Sequence, residues 1–122
     1  MKIKPIPPIV FGYHSTLKTQ WIKGNLPTVK YGIYGGELTK KTISLEHIKP
    51  LSKGGKTKLY NLALATKENN NLRANYPLKN YLDSDKFIRY IEQFKDIDLP
   101  ALNGKEYIKN LIKTIIDTLE GK

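Results

Sequence analysis

From Asn103 to Leu119 the chain returns to an apolar side chain every three or four positions, through Ile108, Leu111, Ile112, Ile115, Ile116 and Leu119, and Gly121 closes the run. That period predicts an amphipathic helix, with Asn103 and Glu106 as a variant of the capping box at its start. The stripe has two possible destinations: packing across the rest of the domain, or a seam between two copies. A shorter helix is expected just before it, capped by Asp83 or Ser84, with Phe87, Ile88, Ile91 and Phe94 on one face. The middle of the chain has a different rhythm. Thr42–His47 alternates polar and apolar, which predicts a half-buried strand with Ile43 and Leu45 inward and Thr42, Ser44 and Glu46 on the other face. Asn61–Ala65 is a short apolar run suited to a second strand. Thr66 is placed to cap a helix of about eight to ten residues carrying Asn69, Asn70 and Arg73, which Tyr76-Pro77 would end. Upstream, Val29, Tyr31, Ile33 and Tyr34 read as a strand that stops at Gly35-Gly36. Ser15 would cap a short helix through Leu17, Trp21 and Ile22, and the prolines at 5, 7 and 8 make the first residues an extended arm.

These elements amount to one α+β domain over residues 1–122, with an arm at 1–14, a strand–loop–strand–helix unit at about 42–75 and a helical part at 83–121. With no cysteine, neither a disulfide framework nor a thiolate zinc site can form. No apolar run is long enough to span a bilayer and the N-terminus lacks the features of a signal peptide, so a cytoplasmic location without membrane contact is expected. Charge narrows the partners. The net charge is +10, and it is unevenly placed: residues 1–60 carry eleven lysines against two acids, residues 61–122 ten basic against nine acidic residues. A basic front half on a near-neutral back half points to a polyanion as partner.

The chemistry concentrates between Ser44 and Asn75. Glu46 directly precedes His47, one of only two histidines; Pro50 and Gly54-Gly55 follow, then Asn61, Asn70 and Arg73. If β-structure ends at His47, the turn there lets both Glu46 and His47 reach one pocket. The carboxylate and the Asn70 carboxamide are hard oxygen donors of the kind Mg²⁺ accepts. His47, with its near-neutral ionisation, suits removal of a proton from attacking water. Asn61 is placed to clamp the loop by hydrogen bonds. Arg73, one turn beyond Asn70, would share its helix face and grip a phosphate. Lys49, Lys53, Lys56 and Lys58 would supply further phosphate contacts from the loop.

This segment resembles the HNH, or ββα-metal, nuclease motif. The acidic residue and histidine match Glu46-His47, the Pro and Gly-Gly loop match Pro50, Gly54 and Gly55, and the central Asn-Leu matches Asn61-Leu62. The last motif position falls on Asn70, with the basic residue three further at Arg73. The resemblance implies a ββα-metal core with an extended basic N-terminal region and two C-terminal helices behind it. It also implies a divalent-metal-dependent endonuclease acting on DNA, double-stranded by preference. In that scheme His47 is the general base, Asn61 the orienting residue, Glu46 and Asn70 the ligands of Mg²⁺ or Mn²⁺. A domain this small invites a homodimer or a targeting partner, and free proteins of this kind are often encoded by phages and mobile elements, which would place it in a bacterial host cell. The alternative function is a catalytically silent nucleic-acid-binding protein on the same fold. Two departures from the motif stand out. Glutamate replaces the commoner aspartate. Where many relatives carry two CxxC pairs of a zinc knuckle, this chain has Tyr31-Gly-Ile-Tyr34 and Thr66-Lys-Glu-Asn69, so no structural zinc is expected. Tyr31 and Tyr34 are then either aromatic replacements for that staple or ordinary strand residues.

Overall fold

The computed structural model describes residues 16–122 and gives an α+β fold. The proline-bearing arm, His14 and the Ser15 cap lie outside the described residues. In chain order come helix α1 (Thr16–Ile22), strands β1 (Ile43–His47) and β2 (Leu62–Thr66), and helices α2 (Lys67–Arg73) and α3 (Ser84–Glu92). A minimal hairpin of β3 (Asp98–Leu99) and β4 (Leu102–Asn103) then leads into helix α4 (Gly104–Leu119). Strands β1 and β2 pair antiparallel, with Glu46 opposite Ala63 and His47 opposite Leu62.

The alternation read in β1 sorts as expected on the inner face, where Ile43 is buried and Leu45 packs on the core. The polar face is covered as well, because α2 folds back over it: Asn70 reaches Ser44 and Arg73 reaches Glu46. Enclosure from both sides explains why every residue of β2 is buried and why that strand reads as an unbroken apolar run. Thr66 caps α2 through its Oγ1, which accepts from the Asn69 N–H at 3.1 Å. The helix is shorter than expected, seven residues, since Ala74 turns to a positive φ of 45° well before Pro77.

Two tyrosines behind β2 account for the packing of the C-terminal helices. Tyr90 of α3 accepts from the Leu64 N–H at 2.9 Å, and Tyr107 of α4 donates to the Leu62 carbonyl at 2.8 Å. Their hydroxyls meet at 2.8 Å, and Phe94 stacks against both rings. The two hydroxyls thereby satisfy the Leu64 N–H and the Leu62 carbonyl on the outer edge of β2 without a third strand. The expected stripes hold in part. Phe87 and Ile91 of α3 and Phe94 just beyond it pack in the core, while Tyr90 is buried and Ile88 exposed; in α4 Leu111 and Ile115 are buried with Tyr107, while Ile116 and Leu119 face out. The stripe of α4 therefore packs on the domain. Hydrophobic periodicity misses the tyrosines because their value here lies in a hydroxyl as much as in a ring.

The strand expected at 29–34 is instead a tight loop with a single bridge between Tyr31 and Glu37. Gly35 donates to the Gly32 carbonyl and Gly32 to the Gly36 carbonyl, so the chain turns twice where a strand would run straight. Gly35 and Gly36 take φ of 88° and 84°, which a β-branched or aromatic residue would not hold. The loop docks on β2 by the Ile33 N–H to Leu64 carbonyl bond of 2.9 Å. Among the described residues, no helix is long and apolar enough to cross a membrane.

Candidate active site

His47 is the last residue of β1, half-buried, with Nε2 3.0 Å from the Thr57 hydroxyl. The chain leaves it into a loop whose shape is fixed by one buried side chain. Asn61 Oδ1 accepts from the Lys49 N–H at 2.9 Å, and its Nδ2 donates to the carbonyls of Lys49 and Lys56 at 3.1 and 2.8 Å. A carboxamide is required for this, since it alone offers an acceptor and two donors in one plane. The clamp expected from the sequence is thus present as geometry. Gly55 lets the loop close: a Cβ there would lie 1.8 Å from the Lys49 carbonyl oxygen. Of the loop lysines, Lys53, Lys56 and Lys58 are exposed and Lys49 is half-buried.

Glu46 faces the other way, beneath α2. Its Oε2 accepts from the Tyr34 hydroxyl and, at 3.0 Å, from Arg73 Nη1. Both charged side chains are almost wholly buried, 1% and 5% exposed. The same Nη1 lies 3.1 Å from the His47 carbonyl and 2.9 Å from that of Ile48, and Nε donates to the Tyr76 carbonyl at 3.0 Å. The sequence led us to expect Arg73 on the surface, gripping phosphate alongside Asn70. The structure turns its guanidinium inward instead, because the end of β1 presents a carboxylate and two carbonyls within one fork. Burial pushes the Glu46 carboxyl up from the ordinary glutamate value, while the hydrogen bonds from Tyr34 and Arg73 and the guanidinium charge pull the other way. Two donors converging on one oxygen are the geometry of an ionised carboxylate. The Tyr34 phenol is also pushed well up, by burial first and by the Glu46 charge next.

The two segments that stand in the zinc-knuckle positions meet in space. Asn69 Nδ2 donates to the Gly35 carbonyl at 3.1 Å, its Oδ1 accepts from Tyr81 at 3.0 Å, and the Tyr81 ring meets that of Tyr34 edge-on at 4.9 Å. Tyr34 is therefore part of a cross-link, whereas Tyr31 lies under the Arg89 guanidinium at 4.0 Å.

A divalent cation would ask Glu46 and Asn70 for hard oxygens. Asn70 lies on the correct face: its Nδ2 donates to Ser44 Oγ and the Leu45 carbonyl at 2.9 and 2.8 Å, and its Oδ1 accepts nothing among the described residues. Glu46 does not fit. Its Oε2 already holds two donors, and an arriving ion would meet the positive charge of Arg73. The pair expected from the sequence shares a face but does not, in this arrangement, form a ligand set.

Comparison with known protein families, with curated proteins and with solved structures finds no match. The site thus stands on its own geometry. It brings Glu46, Asn70 and Arg73 together under α2, and His47 and Asn61 together at the loop. Sequence reasoning missed Thr57, a single hydroxyl among lysines with no spacing to mark it, and the hydroxyl role of Tyr34. The position of Tyr34 opposite Glu46 follows only from the double turn at Gly32–Gly36.

Proposed function

We propose that this chain is an HNH-type endonuclease that hydrolyses DNA phosphodiester bonds, with His47 as the general base that activates water. The observation that carries the reading is the Asn61 clamp: a buried carboxamide fourteen residues from His47 in sequence fixes the turn that leaves it. The strand–loop–strand–helix order, the half-buried imidazole beside Thr57, and the lysine-bearing loop support it further. The strong positive charge of residues 1–60 suits DNA as substrate, in a cytoplasmic setting. Mg²⁺ or Mn²⁺ is an expectation of the resemblance, and Glu46 while bound to Arg73 takes no part in holding it.

A specific observation favours the second reading, a silent nucleic-acid-binding protein: the acidic residue of the motif is engaged by a buried arginine. Nicking of supercoiled plasmid in Mg²⁺, Mn²⁺ or EDTA separates the two. We expect cleavage by the wild-type chain and a loss of about 10²-fold or more for His47→Ala. Binding without cleavage under every condition assigns the silent reading, and equal cleavage by His47→Ala removes His47 from the chemistry.

A further inference from the structure

We infer that the trough between the Lys49–Lys56 loop and the end of α4 binds the phosphodiester backbone of a nucleic-acid strand. The inference deepens the nuclease reading and rests on it for the identity of the polyanion. A cavity of about 420 Å³ opens between Lys49–Lys53, the turn at Pro77–Lys79 and the last turn of α4. Lys49, Lys53, Lys79, Lys122 and Arg73 stand in its wall, and none of the residues lining it is acidic. Lys122 is discounted, since Glu120 pairs with it at 3.0 Å. Arg73 is discounted for the same reason: it is 1% exposed and Glu46 pairs with it at 3.0 Å. Exposed Lys53 and Lys79 with half-buried Lys49 leave three cationic groups around one opening, which is a phosphate site in chemical terms. Pro50, Leu78 and Leu119 give the cavity an apolar floor on which sugar or base can lie.

The end of a helix is ordinarily poor ground for an anion. Here the last carbonyls of α4 are occupied: Ile116, Asp117 and Thr118 accept from the N–H groups of Glu120, Lys122 and Gly121. A second cavity of about 200 Å³ shares Lys49, Thr118 and Lys122 with the first and adds Lys56 and the exposed Tyr60, with Asp117 as its one acid. Two cavities in a row, cations along both and an aromatic ring at one end fit a strand rather than a single small anion.

The test is fluorescence anisotropy with labelled oligonucleotides in EDTA across a salt series, which needs no cleavage. Lys53→Ser with Lys79→Ser removes two exposed charges from the trough; Lys105→Ser with Lys109→Ser removes two from elsewhere on the chain. We expect the trough pair to weaken binding about tenfold and to flatten the dependence of log affinity on log salt by roughly 1.4–1.8, while the control pair leaves the slope unchanged. Tyr60→Ala should weaken binding about fivefold or more. Equal slopes for both pairs overturn the trough. So does binding of inorganic phosphate or a mononucleotide with no affinity for the oligonucleotide, which would make it a free-anion pocket. A chain that nicks plasmid while its trough variants bind like wild type loses this inference alone; a chain that never nicks but shows the expected slopes loses only the nuclease reading.

Discussion

Glu46 and Arg73 occupy the position where the sequence suggested a metal ligand and a phosphate grip, and they satisfy one another instead. A buried ion pair contributes little net stability against an apolar replacement, yet removing one partner strands the other. Arg73→Met is therefore expected to cost about 3–5 kcal/mol in urea denaturation, and the double variant with Glu46→Gln to cost less than the two single changes combined. A single-variant cost below about 1 kcal/mol would show that the pair is not buried as described. Glu46 also sets a pH dependence. Its carboxyl is held above the ordinary glutamate value, so the folded chain keeps that proton to higher pH than the unfolded one. Its contribution is complete below the unfolded value and declines as pH rises through the folded one. Glu46→Gln should flatten stability against pH just above the ordinary glutamate range, and an unchanged slope there would count against the shift. The sequence singled out both residues but not their pairing, because strand and helix face each other only after the intervening loop and β2 have brought them together.

At the scale of elements, the loop between β1 and β2 depends on Asn61 and Gly55. Asn61→Ala would leave the Lys49 and Lys56 backbone groups without partners, at a cost of about 1–3 kcal/mol for each group that water cannot reach. Amide exchange at Lys49, whose N–H the side chain holds, should accelerate with it, and protection retained there would mean that the loop keeps its shape by other means. Gly55→Ala places a carbon 1.8 Å from a carbonyl oxygen, so the loop must open. We expect it to lower stability more than Gly54→Ala, where a Cβ meets nothing within 4 Å although φ is 89°. A thermal melt of the two variants decides the order. The motif spacing made this loop legible in outline. The glycine-rich loop at 32–36 was not legible, since Val29, Ile33 and Tyr34 have strand composition, while the turns rest on the positive φ of Gly35 and Gly36 and on the docking of Ile33 on β2.

For the whole molecule, three phenols are buried in the arrangement that joins front to back: Tyr34, Tyr90 and Tyr107, each pushed above the ordinary tyrosine value mainly by burial. Above that value the unfolded chain loses these protons and the folded chain keeps them, so stability is expected to fall steadily as pH rises past about 10. Absorbance titration should show the three ionising only together with unfolding; independent ionisation in the folded chain would contradict their burial. Local patterns in the sequence sufficed for the α+β class, the two strands and the caps at Thr66 and Asn103, and narrowed the cap of α3 to Asp83 or Ser84, because alternation and capping are properties of neighbouring residues. Tertiary structure alone decided that Tyr90 and Tyr107 join the buried faces of the C-terminal helices, that their hydroxyls and the Ile33 N–H meet the outer edge of β2, and that Arg73 points in toward Glu46. Those outcomes depend on which polar groups are left without water when distant segments close, and no local period encodes that.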